Sequence, residues 1–149
     1  MTGNHEASVP RRIISVQATR IAMEAALAEA DALGVRSCVA IHDSGDNLVG
    51  FLRMPGAFHI SSQVAQLKSR QAAGLGLAPA DMEAALAGEQ PRVQRGLEAV
   101  DGFTPVHGGL PIHDNGYLVG GIGVSGGSEA QDVQCAQAGI DAIKRQFGQ

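Results

Sequence analysis

The chain has 149 residues, of which 44% are apolar and only 3% aromatic, and its 11 Lys and Arg against 15 Asp and Glu leave a formal net charge of −4. That length fits one domain burying about two-thirds of its unfolded surface. The acidic balance, with no basic stripe, argues against nucleic-acid binding, and no run approaches the ~20 apolar residues of a membrane span.

Residues 1–12 lack the apolar core of a secretory signal, so the expected setting is cytoplasmic, with no membrane or nucleic-acid partner. Cys38 and Cys135 lie far apart, outside any CxxC pattern, and read as packed, reduced thiols. Alanine and glycine carry much of the apolar content and tryptophan is absent. A core with so few large anchors suggests a homo-oligomer that buries more surface between subunits.

Residues 1–12 read as a flexible polar tail and residues 13–149 as a single domain. Ser15 caps a helix that Gly34 stops after about Leu33, with Ile14, Ala18, Ile21, Ala25, Ala28 and Ala32 as its apolar stripe. Ser37–His42 and Leu48–Met54 read as strands joined through the turn-rich Asp43-Ser44-Gly45-Asp46-Asn47. A helix is expected from about Ser61 to Leu75, a shorter one from Pro79, and a further helical turn from Pro91 carrying Val93, Leu97 and Val100.

Phe103 to His107 is expected to enter the sheet. Asn115-Gly116, between Leu110-Pro111-Ile112 and Tyr117-Leu118-Val119, is a hairpin signal, because both residues tolerate the positive φ of a type I′ turn. A glycine-rich turn follows. Ser128 with Gln131 then forms a capping box for a helix from Glu129 to Phe147, whose inner face is Val133, Ala136, Ile140, Ile143 and Phe147. The order implies an α/β (α+β) fold, an antiparallel sheet of about five strands flanked by helices.

Eight glycines lie between Gly108 and Gly127. They imply either tight backbone packing or space for a guest. Gly121 to Gly126 matches the dinucleotide fingerprint GxGxxG, but the chain ends in the next helix and supplies no second parallel strand. What remains is an anion site at the amides near Gly126 and the start of the last helix.

Lys68 falls within the apolar arc of its helix with Val64, Leu67, Ala72 and Leu75. It is either a snorkelling lysine or an ammonium aimed into a pocket, where it could hold a carboxylate or, with a lowered pKa, act as a base. Arg53, at a strand end, is a candidate fork for the same anion. His107 and His113 flank Gly108-Gly109-Leu110-Pro111 as candidate acid–base groups. No metal-ligand spacing is present, so no metal site is expected. His42 and His59 read as strand-end and loop histidines, and Asp132 as a helix-dipole residue.

Several segments carry a resemblance in combination. They are His42-Asp43-Ser44-Gly45-Asp46, Arg53-Met54-Pro55-Gly56-Ala57, Ser61 through Lys68, Gly108-Gly109-Leu110-Pro111-Ile112, Gly120 to Gly126, and Gln131-Asp132. From about Ile14 to Ile143 the chain resembles the GlcG/HbpS family, whose domain also forms the C-terminal part of PduO-type proteins. The resemblance implies a profilin-like fold, assembly into tetramers or octamers, and a ligand site near the glycine-rich strands and the lysine-bearing helix. Members are described as heme-binding or heme-degrading.

Pro55 stands where the family usually has an acidic residue, and Lys68-Ser69-Arg70-Gln71-Ala72 replaces K-A-x-T-A. The first helix lacks the histidine that would be a natural axial ligand. Heme would then be held through its propionates by Lys68 or Arg53.

Two functions are implied. One is a small-molecule binding protein taking up heme or another small carboxylated ligand in a pocket of Arg53, Lys68, Gly108, Gly109, Gly126 and Asp132. The alternative is a cofactor-independent lyase, isomerase or hydratase acting on a small oxo- or aromatic acid. There Lys68 or Arg53 would anchor the acid, His107 or His113 would move a proton, and amides near Gly126 would stabilise an oxyanion.

Overall fold

The structure, a computed structural model, describes residues 5–148. Its elements are α1 (Val16–Leu33), β1 (Cys38–Asp43), β2 (Leu48–Arg53), α2 (His59–Leu75), α3 (Pro79–Ala87), α4 (Pro91–Glu98), β3 (Gly109–Asp114), β4 (Tyr117–Ser125) and α5 (Glu129–Phe147). The strands form an antiparallel sheet in the order β2-β1-β4-β3. Helices α1 and α5 pack together on one face and α2 lies on the other. This is the expected profilin-like α+β architecture, with four strands among the described residues rather than about five.

The missing strand is Phe103–His107. Thr104 N donates to Gln71 Oε1 at 2.8 Å, and Gln71 Nε2 donates to Thr104 O at 2.7 Å. A side-chain amide thus occupies both main-chain groups of Thr104 and takes them out of any ladder. Pairing starts at Gly108, whose carbonyl accepts from Val124 N at 2.9 Å. Strand β4 runs through most of the glycine-rich stretch to Ser125, so the expected turn is confined to the bend at Gly126 and Gly127.

Period-two alternation along β1 sorts the core. Val39 and Ile41 join Ile112, Ile122 and Val124 against Ala18, Ala22, Ala26 and Ala30 of α1 and Ala136 and Ile143 of α5. Cys38 and Ala40 face α2, with Ala57, Ala65 and Phe51. The buried stripe of α1 is therefore rotated from the expected one, and Ala28 and Ala32 are not part of it. Alanines sit at the seam because α5 comes close: a Cβ on Gly139 would lie 2.8 Å from Ala22 O. Phe147, expected inside, is exposed at the helix end.

Local signals hold where the chemistry is local. Asn115 and Gly116 have φ of 49° and 84°, as a primed hairpin turn requires. Ser128 Oγ accepts from Gln131 N at 3.2 Å while Gln131 Oε1 accepts from Ser128 N at 2.9 Å, closing both halves of the capping box. The expected N-terminal tail falls partly on residues 1–4, outside the described residues. Further along it, Arg12 lies over the Tyr117 ring at 4.5 Å and its carbonyl accepts from Ser44 Oγ at 2.7 Å. No described helix is long and apolar enough to cross a membrane.

Candidate functional site

Lys68 points from α2 into the sheet, beside the glycines of β4. Its ammonium donates to Val124 O at 2.8 Å and to Asp132 Oδ2 at 3.0 Å, while Asp132 Oδ1 accepts from Gly127 N at 2.9 Å. The two side chains are 1% and 5% exposed. Burial pushes the Lys68 pKa down and the Asp132 pKa up, and each partner's charge opposes the shift of the other.

The glycines around this pair are packed against α2 and the neighbouring chain rather than left open. A Cβ at Gly121 would lie 2.4 Å from Ala73 N, and one at Gly123 would lie 2.3 Å from Ala65 O. A Cβ at Gly108 would meet Lys68 Nζ at 2.6 Å, and one at Gly109 would meet Lys68 O at 2.6 Å. At Gly126 the nearest atom would be Arg36 O at 2.3 Å. Of the two meanings open to these residues, tight packing is the one realised. The space beside Lys68, Gln71, Ala72 and Gly109 is about 10 Å³, room for one water at most.

The other expected site residues are dispersed. Arg53 is exposed on edge strand β2 and donates to Ala57 O, two strands from β4. His107 Nε2 lies 2.7 Å from Glu83 Oε1 of α3, and its main-chain N donates to Glu129 Oε2 at 2.8 Å. His113 is exposed on β3, the opposite edge of the sheet. Lys68, Asp132, Gly108, Gly109 and Gly126 come together, and they enclose each other. Among the described residues no group of three or more His, Cys, Asp or Glu converges as a metal-ion site.

An open groove of about 610 Å³ lies instead between α2 and the β1–β2 side of the sheet, lined by His42, Leu48, His59, Gln63, Gln66 and Arg70 among others. Four of these recur at helical spacing along α2: His59, Gln63, Gln66 and Arg70. His42 follows Cys38 and Ala40 on the α2-facing side of β1.

His42 is 7% exposed, with Nδ1 2.6 Å from Ser69 Oγ. Ser69 has one hydroxyl proton and donates it to Gln66 O at 3.1 Å. With the hydroxyl so used, the His42–Ser69 contact fits the tautomer that carries its proton on Nδ1 and leaves Nε2 free to accept. Burial lowers the His42 pKa, outweighing the opposing field of Asp46, and so favours the neutral ring.

Arg70 also lines the groove. Its Nε and Nη2 donate to Asp46 Oδ1 and Oδ2 at 2.8 and 3.1 Å, a bidentate pair at the surface. Sequence reasoning missed this constellation because its residues were read singly. The signal was the polar stripe on α2 combined with the two-residue period of β1.

A family model described as "Haem degrading protein HbpS-like" matches residues 14–141. The corrinoid adenosyltransferase PduO of Citrobacter freundii is 32% identical over 137 residues, covering 90% of this chain and 40% of that protein. The chain thus spans about two-fifths of that relative's length. Among solved structures, Klebsiella pneumoniae protein ORFY superposes with a TM-score of 0.84 at 26% identity, covering 93% of this chain and 96% of that one. The PduOC:heme complex superposes with a TM-score of 0.78 at 28% identity, covering 87% and 94%.

Proposed function

The chain belongs to the GlcG/HbpS family, and on that premise we propose that it is a cytoplasmic small-molecule-binding protein. It takes up heme or another small carboxylated ligand in the groove beside α2. The solved heme complex of a related domain supports this reading. So does the pair of buried free thiols, which suits a reducing compartment.

The observation that carries the proposal is the Gln66–Ser69–His42 relay. An imidazole that ligates a metal is neutral and donates its other N–H to a fixed partner, which sets the tautomer. As the Nδ1–H tautomer, with burial favouring the neutral ring, His42 suits both conditions, and it lines the groove. His42 thus stands in for the histidine that the first helix lacks, in a groove whose apolar lining is Leu48 and Leu67. When bound, heme supplies an iron whose reactivity answers to its axial donor and to the polarity around it. The protein's part is to hold His42 in one tautomer, to offer His59 and Gln63 along the wall, and to present Arg70 to a carboxylate.

Arg70 fits the carboxylate role better than Lys68 or Arg53. Its clasp with Asp46 is exposed, so an incoming propionate can exchange for the aspartate without desolvating a buried charge. Lys68 is held inside by Asp132 and Val124 O. The lyase or isomerase alternative needs a histidine facing the acid's anchor, whereas His107 Nε2 is turned to Glu83 and His113 lies exposed on the edge of the sheet opposite Arg53.

Hemin titration with a Soret readout tests the proposal. The wild type is expected to give a band that His42→Ala weakens strongly. Ser69→Ala is expected to weaken it by about 10- to 100-fold, the usual cost of losing a metal ligand's outer partner. His107→Ala and His113→Ala should leave it unchanged. A band indifferent to His42 overturns the assignment.

A further inference from the structure

We propose that the cleft between the C-terminal half of α2 and α4 is a second small-molecule site, which takes an organic ammonium carried on a compact apolar body. The cleft has a volume of about 370 Å³, within the range of small-ligand sites. It shares only Arg70 and Asp46 with the groove of His42, and their clasp borders both spaces. Gly74 and Leu75 belong to its α2 wall, and Leu97, Val100 and Phe103 to its α4 side.

Gly74 is the residue that points to a guest. It sits inside α2, where glycine weakens a helix relative to alanine. In β4 a missing Cβ admits helix backbone, since one at Gly121 or Gly123 would lie 2.4 or 2.3 Å from it. At Gly74 a Cβ would have nothing within 4 Å. No described protein atom calls for its absence, yet the residue lines the cleft. Helix α4 leads to the same place from the other side. Val93, Leu97 and Val100 recur at helical spacing and give it an apolar face, but the helix buries none of its residues. Leu97 and Val100 stay 37% and 56% exposed, and Leu75 of α2 stays 49% exposed. An apolar body between these walls would cover all three.

The rim selects the charge of that body. Asp43, Asp46 and Asp101 border the cleft against one cation, Arg70. Asp43 is engaged in its own turn, where Oδ1 accepts from Gly45 N and Asn47 N at 2.8 and 3.1 Å and Oδ2 accepts from Asn47 Nδ2 at 3.2 Å. Asp46 and Arg70 satisfy each other. Arg11 donates to Ser44 O but does not line the cleft. Asp101 is exposed, takes part in no ion pair among the described residues, and acts on Arg70 only through its field. The balance of the rim is therefore acidic. Phe103 adds a ring whose π face attracts a cation and repels a carboxylate. An ammonium fits here, the opposite preference to that of the groove.

Calorimetric titration with phenethylammonium tests the proposal, with hydrocinnamate as a probe of similar shape and opposite charge. The amine is expected to bind the wild type with a Kd of about 1 mM or tighter, ordinary for roughly nine non-hydrogen atoms. Hydrocinnamate should bind about tenfold or more weakly. Gly74→Leu puts a helix-favouring side chain into the cleft. It should unfold at no lower a temperature than the wild type, lose the amine, and leave any hemin titration unchanged. Asp101→Asn should keep the fold and weaken the amine by about fivefold. No amine binding by the wild type, or wild-type binding by a folded Gly74→Leu protein, overturns the site. Hydrocinnamate binding as tightly as the amine, or an Asp101→Asn protein indifferent to the change, overturns the choice of charge. Hemin binding lost together with the amine in Gly74→Leu would make cleft and groove one site and overturn the second. The amine titration needs no hemin, so it stands apart from the heme reading.

Discussion

Lys68 Nζ and Asp132 Oδ2 sit 3.0 Å apart at the centre of the molecule, tying α2 to the first turn of α5 through a sheet that both helices press against. Asp132 also accepts from Gly127 N, and Lys68 also donates to Val124 O, so each charge has more than one partner.

That arrangement makes single removal costly. Lys68→Met or Asp132→Leu alone is expected to destabilise the fold by about 3–5 kcal/mol, because a buried charge is left uncompensated. The double variant should cost less than the sum of the singles, and urea denaturation of all four proteins gives the coupling. Additive losses would show that the pair does not act as a unit.

Glycine positions separate packing from permissiveness. Gly123→Ala would place its Cβ 2.3 Å from Ala65 O, so it should lower stability by at least ~1–3 kcal/mol through overpacking. Gly74 lies in α2, where a Cβ would have nothing within 4 Å, and Gly74→Ala should stabilise by roughly 0.5–1 kcal/mol. Thermal unfolding of the two proteins should move in opposite directions.

Stability should fall on acidification through the His42 titration. Burial lowers the folded-state pKa below the 6.5 of an unperturbed ring. Between those two values the unfolded chain binds the extra proton and the folded chain does not, so stability rises with pH across that window and is lost as pH drops through it. His42→Gln should flatten the urea midpoint between about pH 7.5 and pH 5.5 relative to the wild type. An unchanged slope would mean that His42 protonates equally well in both states.

Arg70→Ala removes the surface clasp with Asp46. Exposed pairs of this kind contribute little to folding, so the unfolding midpoint should hardly move. Hemin affinity should fall, and its decline with added salt should become shallower. A large loss of stability with no change in affinity would make the clasp structural.

Features set by neighbours in the chain were legible early. The Ser15 and Ser128 caps, the Gly34 stop and the Asn115-Gly116 turn each depend on a few consecutive residues, and each stands where the chain implied it. The strand expected at Phe103–His107 failed for the opposite reason: the competitor for Thr104's backbone, Gln71, lies 33 positions away. Lys68 was singled out correctly as a charge on an inward face, but its partner Asp132 is 64 residues distant, and that contact turned an apparent ligand anchor into a structural ion pair.

By itself, then, the sequence determined the caps, the hairpin, the family pattern and the α+β order, all properties of short-range geometry or of motifs read in line. The tertiary structure decided what the glycines are for. Only the seating of α2 shows that Gly109, Gly121 and Gly123 lack a Cβ because helix backbone would stand 2.3 to 2.6 Å from it, with no room for a guest. It also decided where open space remains, on the side of α2 where His42, Ser69 and Gln66 form one hydrogen-bonded line across two elements. Cavities are made by the way elements miss one another, and that is set by packing between distant segments that no local pattern encodes.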